Sequence, residues 1–317
     1  MENTRSDSET PATDFEQNLV NRIAWEAVAE QRRARRWGIF FKLFFAGYLI
    51  LFLLLYLPVG WQGGNITGGK HTALVDIEGV ISADSEANAD YIVSGLRAAF
   101  EDKNTAGVIL RINSPGGSPV QAGYVNDEIK RLRGLYPDIP LYAVITDICA
   151  SGGYYIAAGA EKIYANKASI VGSIGVIMSG FGFVDAIHKL GIERRLITAG
   201  ESKGFLDPFS PQKSEEVEHI DKVINDVYQQ FIDVVKTGRG TRLKDDGKIF
   251  SGLIWSGEQS IDLGLVDALG SAGYVAREVI GAEDIVDYTL RDTYFDRFAR
   301  QLGTAVASAL SSKLELR

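Results

Sequence analysis

The sequence predicts an α/β protein with a parallel sheet and flanking helices, preceded by one transmembrane helix. Three observations lead to this fold class. Apolar, β-rich runs alternate with helical periodicity between residues 71 and 290, as in parallel strands joined by helices. Two of these runs end in paired glycines, at 116–117 and 152–153, and such turns meet at the carboxyl edge of a parallel sheet. A run over 37–61 carries a single charge, Lys42, and is long enough to cross a bilayer.

The composition of the chain argues against several classes of function. The chain has 317 residues, of which 46% are hydrophobic and 23% charged, as in ordinary folded proteins. Its formal charge of -8 argues against nucleic-acid binding. The sequence has no Cys/His cluster, P-loop or dinucleotide fingerprint, so we expect neither a metal nor a cofactor. The single cysteine, Cys149, excludes an intramolecular disulfide.

The N-terminal part predicts a membrane anchor. Residues 1–36 form a polar leader and a basic amphipathic segment that ends in four arginines between 32 and 36. Because only Lys70 follows soon after the apolar run 37–61, the positive-inside rule places the N-terminus in the cytoplasm. A cleaved signal peptide fits poorly, since more than 30 residues precede the run and no small-x-small site follows it. We therefore expect a single-pass protein of a bacterial inner membrane with its body in the periplasm.

A glycine-rich tether, 62–70, leads to a folded domain predicted over 71–290. The pattern predicts strands and helices in alternation, and a compact strand-helix-turn follows them at 249–267. The predicted strands are 71–77, 107–112, 139–145, 162–165, 169–177 and 194–198, and the predicted helices are 88–100, 124–135, 182–190, 212–236 and 272–281. Residues 291–317 hold a C-terminal amphipathic helix, with its apolar stripe over 293–310.

The turn at Ser151 is the candidate reaction site. A strand, a sharp turn and a buried helix would expose the serine hydroxyl at the strand end, with the Gly152 amide pointing outward. The glycine turn at Gly117 should lie at the same sheet edge, so the two amides could form an oxyanion site. A simple tight turn before a packed helix is the plainer alternative. Cys149 is a second candidate nucleophile, although a buried strand-end thiol is the simpler interpretation.

A serine nucleophile needs a base. The three histidines, His71, His188 and His219, are each interpreted as solvated surface residues, which leaves lysine. Lys203 stands in a loop of small and apolar residues. For any single lysine, a solvated surface charge is the alternative.

Four motifs occur together and in order over residues 72–270. They are Asn113-Ser114-Pro115-Gly116-Gly117, Ala150-Ser151-Gly152-Gly153-Tyr154-Tyr155, Val171-Gly172-Ser173-Ile174-Gly175-Val176 and the Lys203 loop. As a set they resemble the signal peptide peptidase A family of serine/lysine proteases, also called the protease IV family. The resemblance implies that Ser151 is the nucleophile, Lys203 the general base and Ser173 a residue that orients the lysine. It also implies that Gly117 and Gly152 supply the oxyanion amides.

The resemblance further implies a Clp protease/crotonase-like fold in a short, single-copy form. Short members form a homo-oligomeric ring, so Lys203 would reach the Ser151 of a neighbouring subunit, and Lys213 is the alternative base. A Clp-type histidine would fall near Val176, which disfavours a histidine mechanism. We therefore expect an endopeptidase that degrades released signal peptides or other apolar peptides beside the lipid bilayer.

Two other functions stay open from the sequence. A crotonase-type acyl-CoA enzyme would use the same amides to polarise a thioester, and tight acyl-CoA binding would favour it. A catalytically silent assembly or binding protein would use 293–310 for docking. Loss of partner binding on deletion of that tail, without proteolysis, would favour this third function.

Overall fold

The computed structural model describes residues 12–56, 69–244 and 247–291. The chain divides into two units, and the first is described as one helix of 45 residues, α1 (Ala12–Tyr56). Within the described residues, no helix is both long and apolar enough to cross a membrane. The predicted span 37–61 runs past the end of α1 into residues outside the description. The start of the leader, most of the tether and the C-terminal amphipathic helix also lie outside it.

The second unit is built on an eight-stranded sheet. Its central strands are parallel, in the order β6-β5-β3-β2-β1-β8, with β4 paired to β3 and β7 paired to β4. Among the described strands, only the pair β5–β6 is antiparallel. The strands are β1 (His71–Glu78), β2 (Thr105–Ser114), β3 (Leu141–Ala150), β4 (Lys162–Ala165), β5 (Ile170–Gly172), β6 (Ile254–Ser256), β7 (Ala268–Leu269) and β8 (Ile285–Asp287). The predicted α/β class with a parallel-dominated sheet is confirmed.

Helices cover the sheet. They are α2 (Ala89–Glu101), α3 (Pro119–Leu135), α4 (Gly152–Ala157), α5 (Val184–Lys189), α6 (Ser214–Arg239), α7 (Gly257–Asp262) and α8 (Ala272–Tyr274), with a 3-10 turn at Gly240–Arg242 and a π-helix at Val275–Ile280. One sheet face packs on α2, α3, α4 and part of α6 to form the main core, in which Leu96, Ile129 and Tyr154 are fully buried. A smaller core around Tyr164 and Val275 covers the other face.

Strand β3 divides the sheet. Its first half, Tyr142 to Ile145, pairs with β4, whereas its last residues, Ile148 to Ala150, pair with β5. The strand thus leaves one neighbour and joins another just before its carboxyl end. The residue that follows β3 is Ser151, so the short β5–β6 pair lies beside the candidate reaction site.

A buried carboxylate on α3 forms an ion pair with α2. Glu128 is 8% exposed and accepts hydrogen bonds from Arg131 at 2.7 and 2.8 Å and from Arg97 at 2.6 Å. These bonds, with that of Arg131 the largest cause, lower the pKa of Glu128 from 4.5 to about 2. The carboxylate therefore remains charged at neutral pH.

The structure corrects several local predictions. Residues 194–198 form no strand, because this exposed segment has no neighbouring strand to pair with. The strand predicted over 169–177 ends at Gly172, after which the chain turns at Ser173. The long helix predicted over 212–236 spans Ser214–Arg239 and so continues through Gly238. A side chain at Gly238 would put its Cβ 1.9 Å from the Ala158 carbonyl oxygen, so this glycine permits close packing of α6 on α4.

The surface interpretation of His71 is also wrong. The side chain is buried, and its Nε2 lies 3.0 Å from the Tyr288 hydroxyl. That hydroxyl donates to Asp102 at 2.6 Å, and burial together with this bond raises the pKa of Tyr288 to about 12. His71 thus joins β1 to the end of the described domain, away from Ser151. His188 and His219 are exposed, as expected.

Candidate active site

Ser151 occupies a strained turn between β3 and α4. Its φ is 51° and its ψ is −122°, a backbone conformation that residues with a side chain rarely adopt. The Ser151 amide donates to the Gly172 carbonyl at 2.9 Å, and the Ser151 carbonyl accepts from Tyr155 at 3.0 Å. These bonds hold the strained residue from both sides, so the turn is kept rigid at the strand end.

The glycine loop after β2 lies against this turn. Ile81 donates to the Gly116 carbonyl at 2.9 Å and accepts from the Ser118 amide at 2.8 Å. Ile81 thus bonds to Gly116 and Ser118, the two chain neighbours of Gly117. In such a parallel bridge the N–H of the middle residue, Gly117, points away from Ile81. Gly117 has a φ of +151°, and a Cβ on it would lie 2.1 Å from the Ile81 carbonyl oxygen. Only glycine fits at this position.

The two predicted oxyanion amides come together. A Cβ on Gly152 would lie 3.2 Å from the Gly117 nitrogen. A Cβ on Gly116 would lie 2.7 Å from both the Gly152 nitrogen and the Ser151 Cβ. The loop backbone therefore approaches the serine turn with no side chain between them. This proximity is what two amides need in order to bind one developing negative charge.

A cavity of about 130 Å³ opens beside the serine. Its walls come from the glycine loop, the start of α4, the segment after β5 and one face of α6. The lining residues are Gly117, Pro119, Ser151, Gly152, Tyr155, Gly175, Val176, Ile177, Val227, Gln230 and Phe231. The side chains of Ser151, Gln230 and Tyr155 and the glycine backbone contribute polar groups, while Pro119, Val176, Ile177, Val227 and Phe231 contribute apolar side chains that could contact an apolar substrate group.

Cys149 does not take part in this site. Its side chain is fully buried, and burial raises the pKa of the thiol far above its usual range. A thiol that stays protonated is a poor nucleophile, so the alternative nucleophile is not supported. The neighbouring Tyr154 is equally buried and donates its hydroxyl to the Leu265 carbonyl at 2.8 Å, which anchors α4 from below.

Two other residues were predicted to take part in catalysis. Ser173 lies near Ser151 in the chain fold, whereas Lys203 lies apart from the cavity. Ser173 has a φ of 51° and donates its amide to the Leu253 carbonyl at 2.7 Å. It follows Gly172, the acceptor of the Ser151 amide, and precedes the cavity residue Gly175. Lys203 lies in an exposed turn and does not line the cavity of its own chain. Its backbone amide donates to the Gly200 carbonyl at 3.2 Å.

Sequence reasoning missed the contribution of α6 to the cavity and the burial of Asn126. Val227, Gln230 and Phe231 line the cavity from α6, whereas the sequence predicted only that residues 212–236 form a helix. Phe231 packs on Tyr155 with ring centroids 5.2 Å apart. Asn126 is a fully buried polar residue on α3, and a lone asparagine on a helix carries no distinctive sequence signal.

Acidic, histidine and cysteine side chains do not assemble here. Over residues 12–56, 69–244 and 247–291, no three such side chains gather closely enough to hold a metal ion. The chemistry available at the site is that of a serine hydroxyl and backbone amides. A strained serine facing two glycine amides at a sheet edge is the arrangement of an acyl-transfer site. The fold and the site together are of the kind that serine-type acyl-transfer enzymes use.

Comparisons with known proteins identify the family. The model of "Peptidase family S49" matches residues 135–284. A protein of Methanocaldococcus jannaschii named as a protease is 30% identical over 255 residues, which cover 76% of this chain and 81% of that protein. The chain belongs to peptidase family S49, the signal peptide peptidase A or protease IV family.

Two other relatives match this chain over only part of their own length. A protein of Enterococcus faecium named as signal peptide peptidase SppA is 32% identical over 209 residues, which cover 63% of this chain and 60% of that protein. A protein of Brucella melitensis named Na(+)/H(+) antiporter NhaA is 39% identical over 219 residues, which cover 69% of this chain but 28% of that protein. The chain thus spans a quarter to three fifths of these relatives.

Proposed function

We propose that the chain is a serine endopeptidase in which Ser151 is the nucleophile and Lys203 the general base. Ser151 Oγ attacks the peptide carbonyl while the neutral Lys203 amine takes the hydroxyl proton. The Gly117 and Gly152 amides hold the oxyanion. Lys203 then returns the proton to the leaving amine, and water resolves the acyl-enzyme. The observation that carries this proposal is the strained Ser151 turn held against the Gly117 loop.

The proposed source of Lys203 is a neighbouring subunit of a homo-oligomer. In support, Lys203 is exposed and does not line the cavity around Ser151 in its own chain. The segment that carries it is rich in exposed apolar side chains, including Ile177, Phe181 and Ile197, which are 82–97% exposed. Apolar surface of this kind marks an interaction site. Burial against a neighbour would also favour the neutral amine that a general base requires.

Ser173 is proposed to orient the lysine. Its backbone is fixed by the Leu253 carbonyl, and it lies one residue from Gly172, which holds the Ser151 amide. The alternative base, Lys213, forms an ion pair with Glu216 at 3.6 Å. Because that pair already engages its ammonium group, we favour Lys203.

Apolar peptides, among them released signal peptides, are the proposed substrates. The cavity beside Ser151 is walled by Pro119, Val227 and Phe231, which suits a small or medium apolar side chain. The name of the Enterococcus faecium relative agrees with a signal peptide substrate. The transport activity named for the Brucella melitensis relative is not extended to this chain, because the match covers 28% of that protein.

A membrane anchor with a Clp protease/crotonase-like body outside the cytoplasm completes the proposal. In support, Leu43 to Val59 contains no charged residue, and the apolar side chains of α1 from Trp37 to Phe52 are exposed. A helix that is apolar on all sides is stable in lipid. The test is protease treatment of intact spheroplasts. Digestion of the body is expected, and its protection until the membrane is broken would contradict the periplasmic location.

The decisive experiment uses the full chain in detergent and an apolar fluorogenic peptide. Wild type, Ser151→Ala, Lys203→Ala and an equimolar mixture of the two variants are compared, with Lys213→Ala as the matched control. Each active-site variant should be inert, while Lys213→Ala should keep its activity. Partial recovery in the mixture would support a dyad shared between subunits. Full activity of Lys203→Ala would exclude it as the base, and an inert wild type would refute the peptidase function.

A further inference from the structure

Two helices carry the two candidate oxyanion amides. Helix α3 begins directly after the loop that contains Gly117, and α4 begins at Gly152. The separation of the two amides therefore depends on how firmly α3 and α4 are held together. Asn126 lies between these helices on α3 and is 0% exposed.

Asn126 satisfies a carbonyl that α4 leaves unpaired. The Ala158 amide donates to Tyr154 and the Gly159 amide to Ile156, so the turn after α4 skips the Tyr155 carbonyl. The last carbonyls of a helix have no intrahelical donor and need a partner from elsewhere. The Asn126 side-chain nitrogen donates to the Tyr155 carbonyl at 3.0 Å. Asn126 thus acts as a side-chain cap at the carboxyl end of the nucleophile helix.

Other residues on the same face of α3 extend this contact along α4. Ala122 lies near the amino end of α4, because a Cβ on Gly152 would be 3.6 Å from the Ala122 Cβ. Just past the carboxyl end of α4, Arg133 donates to the Gly159 carbonyl at 2.8 Å. Gly159 itself leaves room for Asn126, since a Cβ there would lie 2.9 Å from the amide nitrogen. Asn126 provides the central directional contact in this row.

Packing alone does not explain an asparagine at this position. The other amide atom, Oδ1, has no hydrogen-bond partner among the described residues, and a buried unpaired acceptor is destabilising. The adjacent buried residues Val125 and Ile129 are apolar, so an apolar side chain here would pack without an unpaired side-chain acceptor. The gain must lie in the single hydrogen bond to α4.

We propose that Asn126 is a positioning residue, which fixes α4 against α3 and so sets the spacing of the Gly117 and Gly152 amides in the oxyanion site. The proposal rests on the proposed function, because it assigns these amides to the oxyanion. A displacement of about 1 Å at a reacting centre can cost about a hundredfold in rate. Loss of the Asn126 bond should therefore lower kcat by about 10- to 100-fold and leave KM nearly unchanged.

The first variant is Asn126→Leu, which keeps the branched shape and the number of heavy atoms and removes the donor. The matched control is Glu128→Gln, which alters a buried group on the same helix that binds Arg97 and Arg131 instead of α4. Peptide hydrolysis by the full chain is normalised to active sites titrated with a fluorophosphonate. Asn126→Leu should lose kcat per titrated site, with a parallel loss of affinity for a peptide boronic acid, while Glu128→Gln should not. A normal kcat per titrated site, with fewer sites, would mean a purely structural role and overturn the proposal.

The second variant is Asn126→Asp, whose carboxyl group can donate only when it is protonated. Its kcat relative to wild type should rise as the pH falls, and a ratio that does not change with pH would overturn the proposal. If wild type cleaves no peptide, the proposed function fails, but the rate of Ser151 phosphonylation still tests Asn126. Equal labelling rates in wild type and Asn126→Leu would then refute the positioning role, and no labelling of wild type would refute both.

Discussion

Replacing Gly117 by alanine tests the oxyanion loop directly. The new Cβ would lie 2.1 Å from the Ile81 carbonyl oxygen and 2.9 Å from the Ile81 nitrogen. Real Cβ contacts are essentially never shorter than 3.0 Å, so the loop and Ile81 must separate by about 1 Å, a displacement that can cost about a hundredfold in rate. Loss of an oxyanion donor typically costs about 10²- to 10³-fold in kcat. We therefore expect Gly117→Ala to lower kcat by about 10²- to 10³-fold.

The same substitution should also destabilise the domain. Separation from Ile81 weakens two backbone hydrogen bonds, of 2.9 and 2.8 Å, and overpacking adds strain, for a total of about 2–3 kcal/mol. Gly79→Ala is the matched control, because Gly79 has a φ of +83° but no atom within 4 Å of a new Cβ. It should lose about 1 kcal/mol of stability from the left-handed backbone alone and keep its kcat.

The assay combines peptide hydrolysis by the full chain with unfolding in urea. Stability is measured in parallel so that loss of folded protein is not mistaken for loss of catalysis. If Gly117→Ala had the same kcat as Gly79→Ala, the Gly117 amide could not be part of the oxyanion site, and the reasoning from the clash with Ile81 would be refuted.

Three further predictions concern strain, pH and burial. Ser151→Gly should be more stable than Ser151→Ala by about 1 kcal/mol, because glycine accepts the positive φ without strain; thermal unfolding of both inactive variants checks this, and equal stability would contradict it. Glu128 contributes stability that is fully present above pH 4.5 and lost as the pH falls through about 2; urea unfolding of wild type and Glu128→Gln should differ at pH 7 and converge in acid, whereas a constant difference would contradict the charge effect. Tyr154→Phe should cost about 1–3 kcal/mol, because the buried Leu265 carbonyl loses its donor; an unchanged urea midpoint would contradict this.

Local patterns predicted much of the fold and part of the site. Alternating apolar runs and helical periodicity located the central strands, and the paired glycines located the turns at Gly117 and Ser151. These signals are local, because glycine and strand periodicity act within a few residues. The meeting of the two turns followed from the rule that parallel strands end at one edge.

Features that depend on distant partners were not predictable in this way. The segment 194–198 has strand-like residues but no neighbouring strand, and the short strand β8 forms only because β1 offers it an edge. His71 is buried by Tyr288, 217 residues further along the chain. The polar contact of Asn126 with Tyr155 likewise depends on packing between two helices. The roles of Lys203 and Ser173 remain predictions.

The division of β3 between two neighbours has a consequence for hydrogen exchange. Residues 142–145 of β3 lie between β2 and β4 in a parallel ladder. On the side toward β5, residues 148–150 pair only with β5, and β5 and its neighbour β6 are each three residues long. Short ladders open at a lower free energy than the centre of a sheet. The peptide groups next to Ser151 should therefore exchange with deuterium sooner than those of the same strand a few residues earlier. The short β5–β6 pair would then open as a unit separate from the main sheet, which stays closed.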